Sequence, residues 1–350
     1  MQPNKYNVRA ADVAQDRDAV LALWNQAFGH RQRSIKYDWC YGQTPQGVGR
    51  LYILGYGEND TAIGVQGIVP RSWWFKGKAA SVGICADLAV EKNHRSIGPA
   101  LTLVRRVIEL EQRLGSAEML FGFPNSKSEA LYRRAGYTKM GEITRYARPL
   151  RLRHWLARKG IPVPVVTLLG AIADLVLRTH VALSSMFLPQ QWRCVPVTEF
   201  DKRFDELWSR VAPQAGPMVP RNSGYLRWRF CKSFVRQVRV MVLEANDGRI
   251  DGYVIYRIGE NKMVSIQDFL AVENVRALPA MLNSFVREMY KRGYYGISLE
   301  YFGPKPIADA LIHAGFSPRE CNPIYVVLNE SADSLVQGPP PYFTASDRDQ

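Results

Sequence analysis

Three short segments in the first half of the chain recur in the second half, in the same order and at similar spacing. Tyr37-Asp-Trp39-Cys-Tyr41 is echoed by Leu226-Arg-Trp228-Arg-Phe230, and Asp87-Leu-Ala-Val90 by Asp268-Phe-Leu-Ala-Val272. Leu131-Tyr-Arg-Arg-Ala-Gly136-Tyr137 is echoed by Ala310-Leu-Ile-His-Ala-Gly315-Phe316. Ordered echoes of this kind indicate an internal duplication. The chain is therefore expected to fold as two related units, and its 350 residues are enough for two cores.

The first unit reads as a strand at 6–10, helical spacing over 12–28 and a short helix over 34–41. Strands follow over 50–56, 62–76 and 79–90, with turns at Gly57-Glu-Asn-Asp60 and Gly77. A helix over 99–114 is closed by Gly115. Then come a strand over 117–123, a helix over 126–135 ended by Gly136, and a strand over 141–150. This order predicts an α+β domain, a mixed and mostly antiparallel sheet flanked by helices. The expected division is 1–150 for the first domain, 151–198 for a basic, amphipathic helical linker and 199–330 for the second domain. Residues 331–350, with Pro339-Pro-Pro341, are expected to be a disordered tail.

A formal charge of +14 implies an acidic partner. The five cysteines are scattered and form no Cys-x-x-Cys pair, which argues against a disulfide framework or a zinc site and for a reducing compartment. The N-terminus lacks the apolar core of a secretory signal. A cytoplasmic location is expected. The apolar run at 163–173 is too short to span a bilayer. With the arginines that precede it, the 145–188 segment is expected either to pack between the domains or to touch an anionic membrane peripherally, at the inner face.

The strongest chemical signal is Arg95-Ser96-Ile97-Gly98-Pro99-Ala100, following the strand that ends at Val90. A helix beginning near Gly98 offers backbone N–H groups that no preceding carbonyl satisfies, and with the helix dipole they suit a diphosphate. Gly98 permits close approach, and Pro99 fits the first helical turn because its missing N–H would be unpaired anyway. One helix and one strand later comes Asn125-x-x-Ser128-x-x-Leu131-Tyr132-x-x-x-Gly136-Tyr137. Together, in this order, the two blocks resemble the Gcn5-related N-acetyltransferase (GNAT) superfamily, over residues 6–150. The second half is similar to a diverged second copy.

The resemblance implies two tandem acyl-CoA N-acyltransferase-like domains with acetyl-CoA as co-substrate and no metal. It places the backbone of Leu88, Ala89 and Val90 along the pantetheine arm, the 95–100 turn on the diphosphate, and Asn125 across from the arm. Asn125 reads equally as a helix cap. Tyr132 stands where the family commonly keeps a proton donor for the departing thiolate. Asp87 is a candidate base, against the alternative that its carboxylate fixes a backbone loop. His94 and His30 are weaker candidates. The second copy lacks a glycine turn after Val272 and has Leu311 where the first has Tyr132, so one cofactor site is expected.

The expected activity is acyl transfer, in the first instance of acetyl, to an amine that attacks the thioester directly. Basic character points to an anionic small-molecule or glycan acceptor, such as a sugar nucleotide or glycan precursor of surface-polysaccharide biosynthesis. Two alternatives stay open: aminoacyl transfer from charged tRNA on a tandem GNAT fold, and a non-catalytic binding protein. Retention of Arg95, Gly98 and Ala100 counts against the first, and a nucleic-acid partner is not expected.

Overall fold

The apolar runs of the first half become strands whose alternate residues face two different cores. In a computed structural model that describes residues 5–29, 33–151, 191–231, 237–329 and 338–348, Tyr52 and Leu54 point to one side of the sheet and Leu51 and Ile53 to the other. This is the period-2 alternation of a strand buried on both faces.

The elements run β1 (Tyr6–Ala10), α1 (Arg17–Phe28), α2 (Arg33–Tyr41), the short hairpin β2 (Gln43–Thr44) and β3 (Gly47–Val48), β4 (Arg50–Tyr56), β5 (Thr61–Phe75), β6 (Lys78–Val90), α3 (Ile97–Leu114), β7 (Met119–Gly122), α4 (Glu129–Ala135) and β8 (Thr138–Pro149). The second half follows as β9 (Trp192–Val197), α5 (Lys202–Val211), α6 (Ser223–Phe230), β10 (Arg239–Ala245), β11 (Ile250–Ile258), β12 (Met263–Ala271), α7 (Ala277–Lys291), β13 (Gly296–Phe302), α8 (Lys305–His313), β14 (Ser317–Leu328) and β15 (Phe343–Thr344). Apart from β2, β3 and β15 the two halves match element for element, as the echoes predict.

Both halves share one sheet, in the order β1-β4-β5-β6-β7-β14-β8-β13-β12-β11-β10-β9. Once each strand is matched with its counterpart, this order reads the same from either end. At its centre the last strands are exchanged. β14 of the second half lies between β7 and β8 of the first, antiparallel to both, and β8 pairs with β13. Each copy thus covers the other's exposed strand edge, which would otherwise be a site for unwanted pairing.

Helix α3 shows how one face is set. Leu103, Val104 and Val107 are fully buried against β1, β4 and β5, each contributing about 1.5–3 kcal/mol of hydrophobic stabilisation. Glu111 on the same face is 1% exposed. Its carboxylate accepts from Arg50 and from the Tyr52 hydroxyl at 2.6 Å and from Ser116 at 2.8 Å, so the buried charge is satisfied. Helices α1 and α2 pack on the opposite face. Trp39 of α2 stacks on Trp228 of α6 at 4.7 Å and 18°, so two residues that echo one another in sequence meet between the copies.

Three expectations change. Residues 192–197, assigned to the linker, form β9, because Trp192–Val197 pairs along β10. Arg145 and Arg148, assigned to a membrane-facing stretch, belong to β8. Arg145 pairs with Glu320, and Arg148 is 3% exposed and donates to the Ala314 carbonyl. The tail is ordered over 338–348: Tyr342, Phe343, Thr344, Ser346 and Asp347 are buried, and the proline run only precedes an anchored segment. The rest of the linker and of the 145–188 segment, 152–190, lies outside the described residues, as do 331–337 of the tail. Among the described residues no helix is long and apolar enough to cross a membrane.

Candidate active site

Strands β6 and β7 run parallel but pair only where Val82, Gly83 and Ile84 face Met119, Leu120 and Phe121. Beyond Ile84 they part, while β6 continues along β5 to Val90. Toward β7 the 85–90 backbone has no strand partner among the described residues. Leu88, Ala89 and Val90 therefore border an open wedge. A cavity of about 550 Å³ occupies it, lined by Phe28, Arg33 and Lys36 on one side, Cys85 to Leu88 along the strand, and Phe123, Asn125, Ser128 and Tyr132 opposite.

Tyr132 is brought to this cavity by α4. Its ring is 6% exposed, tilted against Tyr137 at 4.7 Å and edge-on to Tyr325 of β14 at 6.2 Å. A side chain at Gly122 would place its Cβ 2.7 Å from the Tyr132 hydroxyl oxygen, so the glycine that ends β7 makes room for that hydroxyl. Below it, the Cys85 thiol and the Tyr137 hydroxyl are 3.0 Å apart. Burial, and then Cys85, pushes Tyr137 well above the usual phenol range. Tyr137 stays protonated.

Asp87 sits at an irregularity of β6, with φ at 54°. Its side chain accepts from Lys36 Nζ at 2.6 Å and from the Tyr41 hydroxyl at 2.9 Å, and its carbonyl accepts from the Trp24 indole at 3.2 Å. The side chain is 5% exposed and tied to α2, and the carbonyl is tied to α1. The matching aspartate of the second copy, Asp268, is likewise locked, against Arg221 at 3.0 Å. Shared burial and pairing are the signature of the loop-fixing alternative. Lys36 was not picked out in the sequence. Its signal is a lysine in phase with the buried Trp39 and Cys40, three and four residues on.

At the 95–100 turn, Arg95 folds back and donates to the Val90 carbonyl at 3.3 and 3.4 Å. It staples the turn to the strand end. Ser96 is the N-cap of α3 but makes no side-chain capping bond, which leaves the first-turn amides of Ile97 and Gly98 without an intrahelical acceptor. Gly98 has ordinary helical backbone, and an added Cβ would meet nothing within 4 Å. Nothing inside the protein requires a glycine there. Asn125 is the cap of its turn, its Oδ1 accepting from the amides of Lys127 and Ser128 at 3.0 and 3.1 Å, while it borders the cavity. His94 packs between Tyr6 and Tyr56 away from the cavity, and His30 lies outside the described residues.

The second copy has the same parting, where β12 and β13 pair only through Ser265 and Ser298. There the chain fills part of its own wedge, and a cavity of about 350 Å³ remains beside Tyr342, along Phe269 to Val275. β15 pairs with β13 at Tyr301 and Phe302, Thr344 donates to Asp268 at 2.7 Å, and the Tyr342 hydroxyl donates to the Phe269 carbonyl.

Comparison with known proteins agrees with this geometry. Residues 7–140 match the family model of the acetyltransferase (GNAT) domain. Among solved structures the chain is similar to a conserved protein of unknown function from Enterococcus faecalis V583, at 13% identity, TM-score 0.67, covering 93% of this chain and 73% of that one. It is similar to a GCN5-related N-acetyltransferase from Anabaena variabilis ATCC 29413, at 13% identity, TM-score 0.65 and the same coverage. It is also similar to the Saccharomyces cerevisiae N-myristoyltransferase solved with bound myristoyl-CoA, at 12% identity, TM-score 0.54, covering 94% of this chain and 80% of that one. These likenesses establish a shared fold over both halves. No curated protein matches the chain in sequence.

Proposed function

We propose that this chain, a GNAT-family protein through residues 7–140 and a tandem of the GNAT fold, is an acyl-CoA-dependent N-acyltransferase with one working site, in the first wedge. The observation that carries the proposal is the contrast between the two wedges. The first is open and bordered by an uncapped helix start and a tyrosine. The second is partly occupied by Tyr342 to Asp347 and has neither a glycine at its turn nor a tyrosine at the position of Tyr132, which is Leu311.

In this reading the amides of Ile97 and Gly98 hold the diphosphate, with the α3 dipole adding to the attraction. The exposed edge of Leu88, Ala89 and Val90 aligns the pantetheine arm as an added strand. This places the thioester between Asp87 and Tyr132. Acetyl-CoA supplies the acyl group, and the acceptor amine enters from the side of Phe28, Arg33 and Lys36. As the carbon–sulfur bond breaks, the Tyr132 hydroxyl gives its proton to the departing sulfur, a role worth about 10²–10⁴ in rate. Asp87, held by Lys36 and Tyr41, keeps the β6 irregularity in shape, and the proton of the attacking amine leaves through water.

Arg33 and Lys36 at the acceptor side support an acidic acceptor, such as a sugar nucleotide or glycan precursor. Assay of acetyl transfer from acetyl-CoA to a panel of neutral and phosphorylated amines tests the proposal. Turnover that requires an intact 95–100 turn is expected. Absence of acetyl-CoA binding at high micromolar concentration would overturn it.

A further inference from the structure

Where β12 and β13 part, a separate polar cavity of about 120 Å³ is walled by Arg145, Arg229, Arg257, Ser265, Ser298 and Glu300. Its floor is a polar stretch across four neighbouring strands. Ser265 stands opposite both Arg257 and Ser298, and Glu300 opposite Arg145. Arg229 closes it from α6 and is 3% exposed. Its Nε donates to the Ser346 carbonyl at 2.7 Å and its Nη2 to the Arg348 carbonyl at 3.0 Å. Its Nη1 is buried with no hydrogen-bond partner among the described residues. A buried cationic N–H left without an acceptor is costly, and such a group marks a place where an acceptor belongs.

The charges favour an anion. Glu300 is the only carboxylate in the wall among the described residues, and both its oxygens are taken by Arg348 at 2.8 and 2.9 Å. Arg257 donates to the neutral amide oxygen of Gln267 at 2.6 Å. Arg229 is stacked over Trp39 at 5.0 Å, and burial lowers its pKa. A bound oxyanion would accept from the unpartnered Nη1 and offset that burial.

The cavity shares no lining residue with the first wedge, but two contacts connect them. Arg348, which holds Glu300, lies over the ring of Phe123 at 5.5 Å, and Phe123 lines the wedge. Trp39, beneath Arg229, is one helical turn from Lys36, which lines it as well. We propose that this cavity is an anion site that takes the phosphoryl or carboxylate group of the acceptor. The identification with the acceptor rests on the acyl-transfer reading. The anion site itself does not.

Inorganic phosphate titrated calorimetrically into the full chain, at ionic strength fixed with chloride, is the test. Gly98→Glu closes the diphosphate turn, so binding that remains reports this cavity, and saturating the wild-type chain with acetyl-CoA gives the same isolation without a substitution. One phosphate per chain is expected in either form. Arg257→Gln is expected to weaken it at least about tenfold, the loss of one charge-assisted hydrogen bond, while Lys78→Gln on the β5–β6 hairpin leaves it unchanged. No saturable binding, or equal binding by Arg257→Gln, would overturn the site. Transfer to glucosamine and to glucosamine 6-phosphate then separates a free anion from an acceptor group. A lower KM for the phosphorylated amine, lost in Arg257→Gln, is expected, and equal KM values with phosphate bound would overturn the acceptor assignment. Failure of acetyl-CoA to bind, with phosphate binding intact, would count against the acyl-transfer reading alone.

Discussion

Lys36 Nζ lies 2.6 Å from Asp87 Oδ1, with the two side chains only 7% and 5% exposed. Two full charges removed from water are tolerated only while each has the other. The pair joins α2 to the irregular turn of β6, so it fixes the Lys36 wall of the wedge against the strand that borders it.

Asp87→Asn is expected to destabilise the fold by about 3–5 kcal/mol, because Lys36 is left buried without its counter-charge. Chemical denaturation measures it. Pairing the substitution with Lys36→Met should restore much of the loss. A cost below about 1 kcal/mol would mean the pair is not held as described.

Tyr132→Phe keeps the ring that packs on Tyr137 and Tyr325 and removes only the hydroxyl. Acetyl-CoA affinity is expected to stay within a few-fold, with kcat falling by about 10² or more. Steady-state kinetics alongside direct binding reads both. Unchanged kcat would remove Tyr132 from the proton-donor role.

Phe343 is fully buried and packs against Trp73, Phe121, Phe123 and Phe302. Phe343→Ala is therefore expected to cost about 3–5 kcal/mol in urea unfolding. That is a large effect for a residue near the chain end. A change below about 1 kcal/mol would show that the segment is not docked in the second wedge.

Asp16 accepts a two-pronged bond from Arg9 at 2.7 and 2.8 Å, which holds its carboxyl below the usual carboxylate range. A folded pKa below the unfolded one gives stability that is present above the unfolded value of about 3.9 and is lost as pH falls through the folded one. Urea midpoints between neutral and acidic pH should therefore drop less in Asp16→Asn than in the wild type. Parallel pH curves for the two proteins would contradict this assignment.

What could be read from sequence follows what local pattern encodes. Helix α3 was legible because Leu103, Val104, Val107 and Ile108 repeat at helical period, and its start because Pro99 suits a first helical turn. The exchange of β8 and β14 was not. Period-2 alternation says that a segment is a strand and which face is buried, but not which neighbour it pairs with. The C-terminal segment was misread for a related reason. Pro339 to Pro341 weighs toward disorder, whereas Tyr342 and Phe343 find burial only against residues distant in sequence, Phe269 and Phe302 of the second half and Trp73 and Phe121 of the first. At the site, Tyr132 and Asp87 were named from motif position, and both line the cavity. Lys36 was not named, since a lone lysine in a helix is ordinarily a solvated one.

The central claim is that one acyl-CoA site operates, in the first wedge. Calorimetric titration of the full chain with acetyl-CoA tests it most directly, with Gly98→Glu as the comparison. Because a Cβ at Gly98 meets no atom of the described residues within 4 Å, that variant should fold normally while setting a carboxylate where the diphosphate would lie. The account predicts one acetyl-CoA per chain for the wild type and at least about tenfold weaker binding for Gly98→Glu, the scale of a lost charge-assisted contact. Two equivalent sites, no binding at all, or unaltered binding by a folded Gly98→Glu would contradict it.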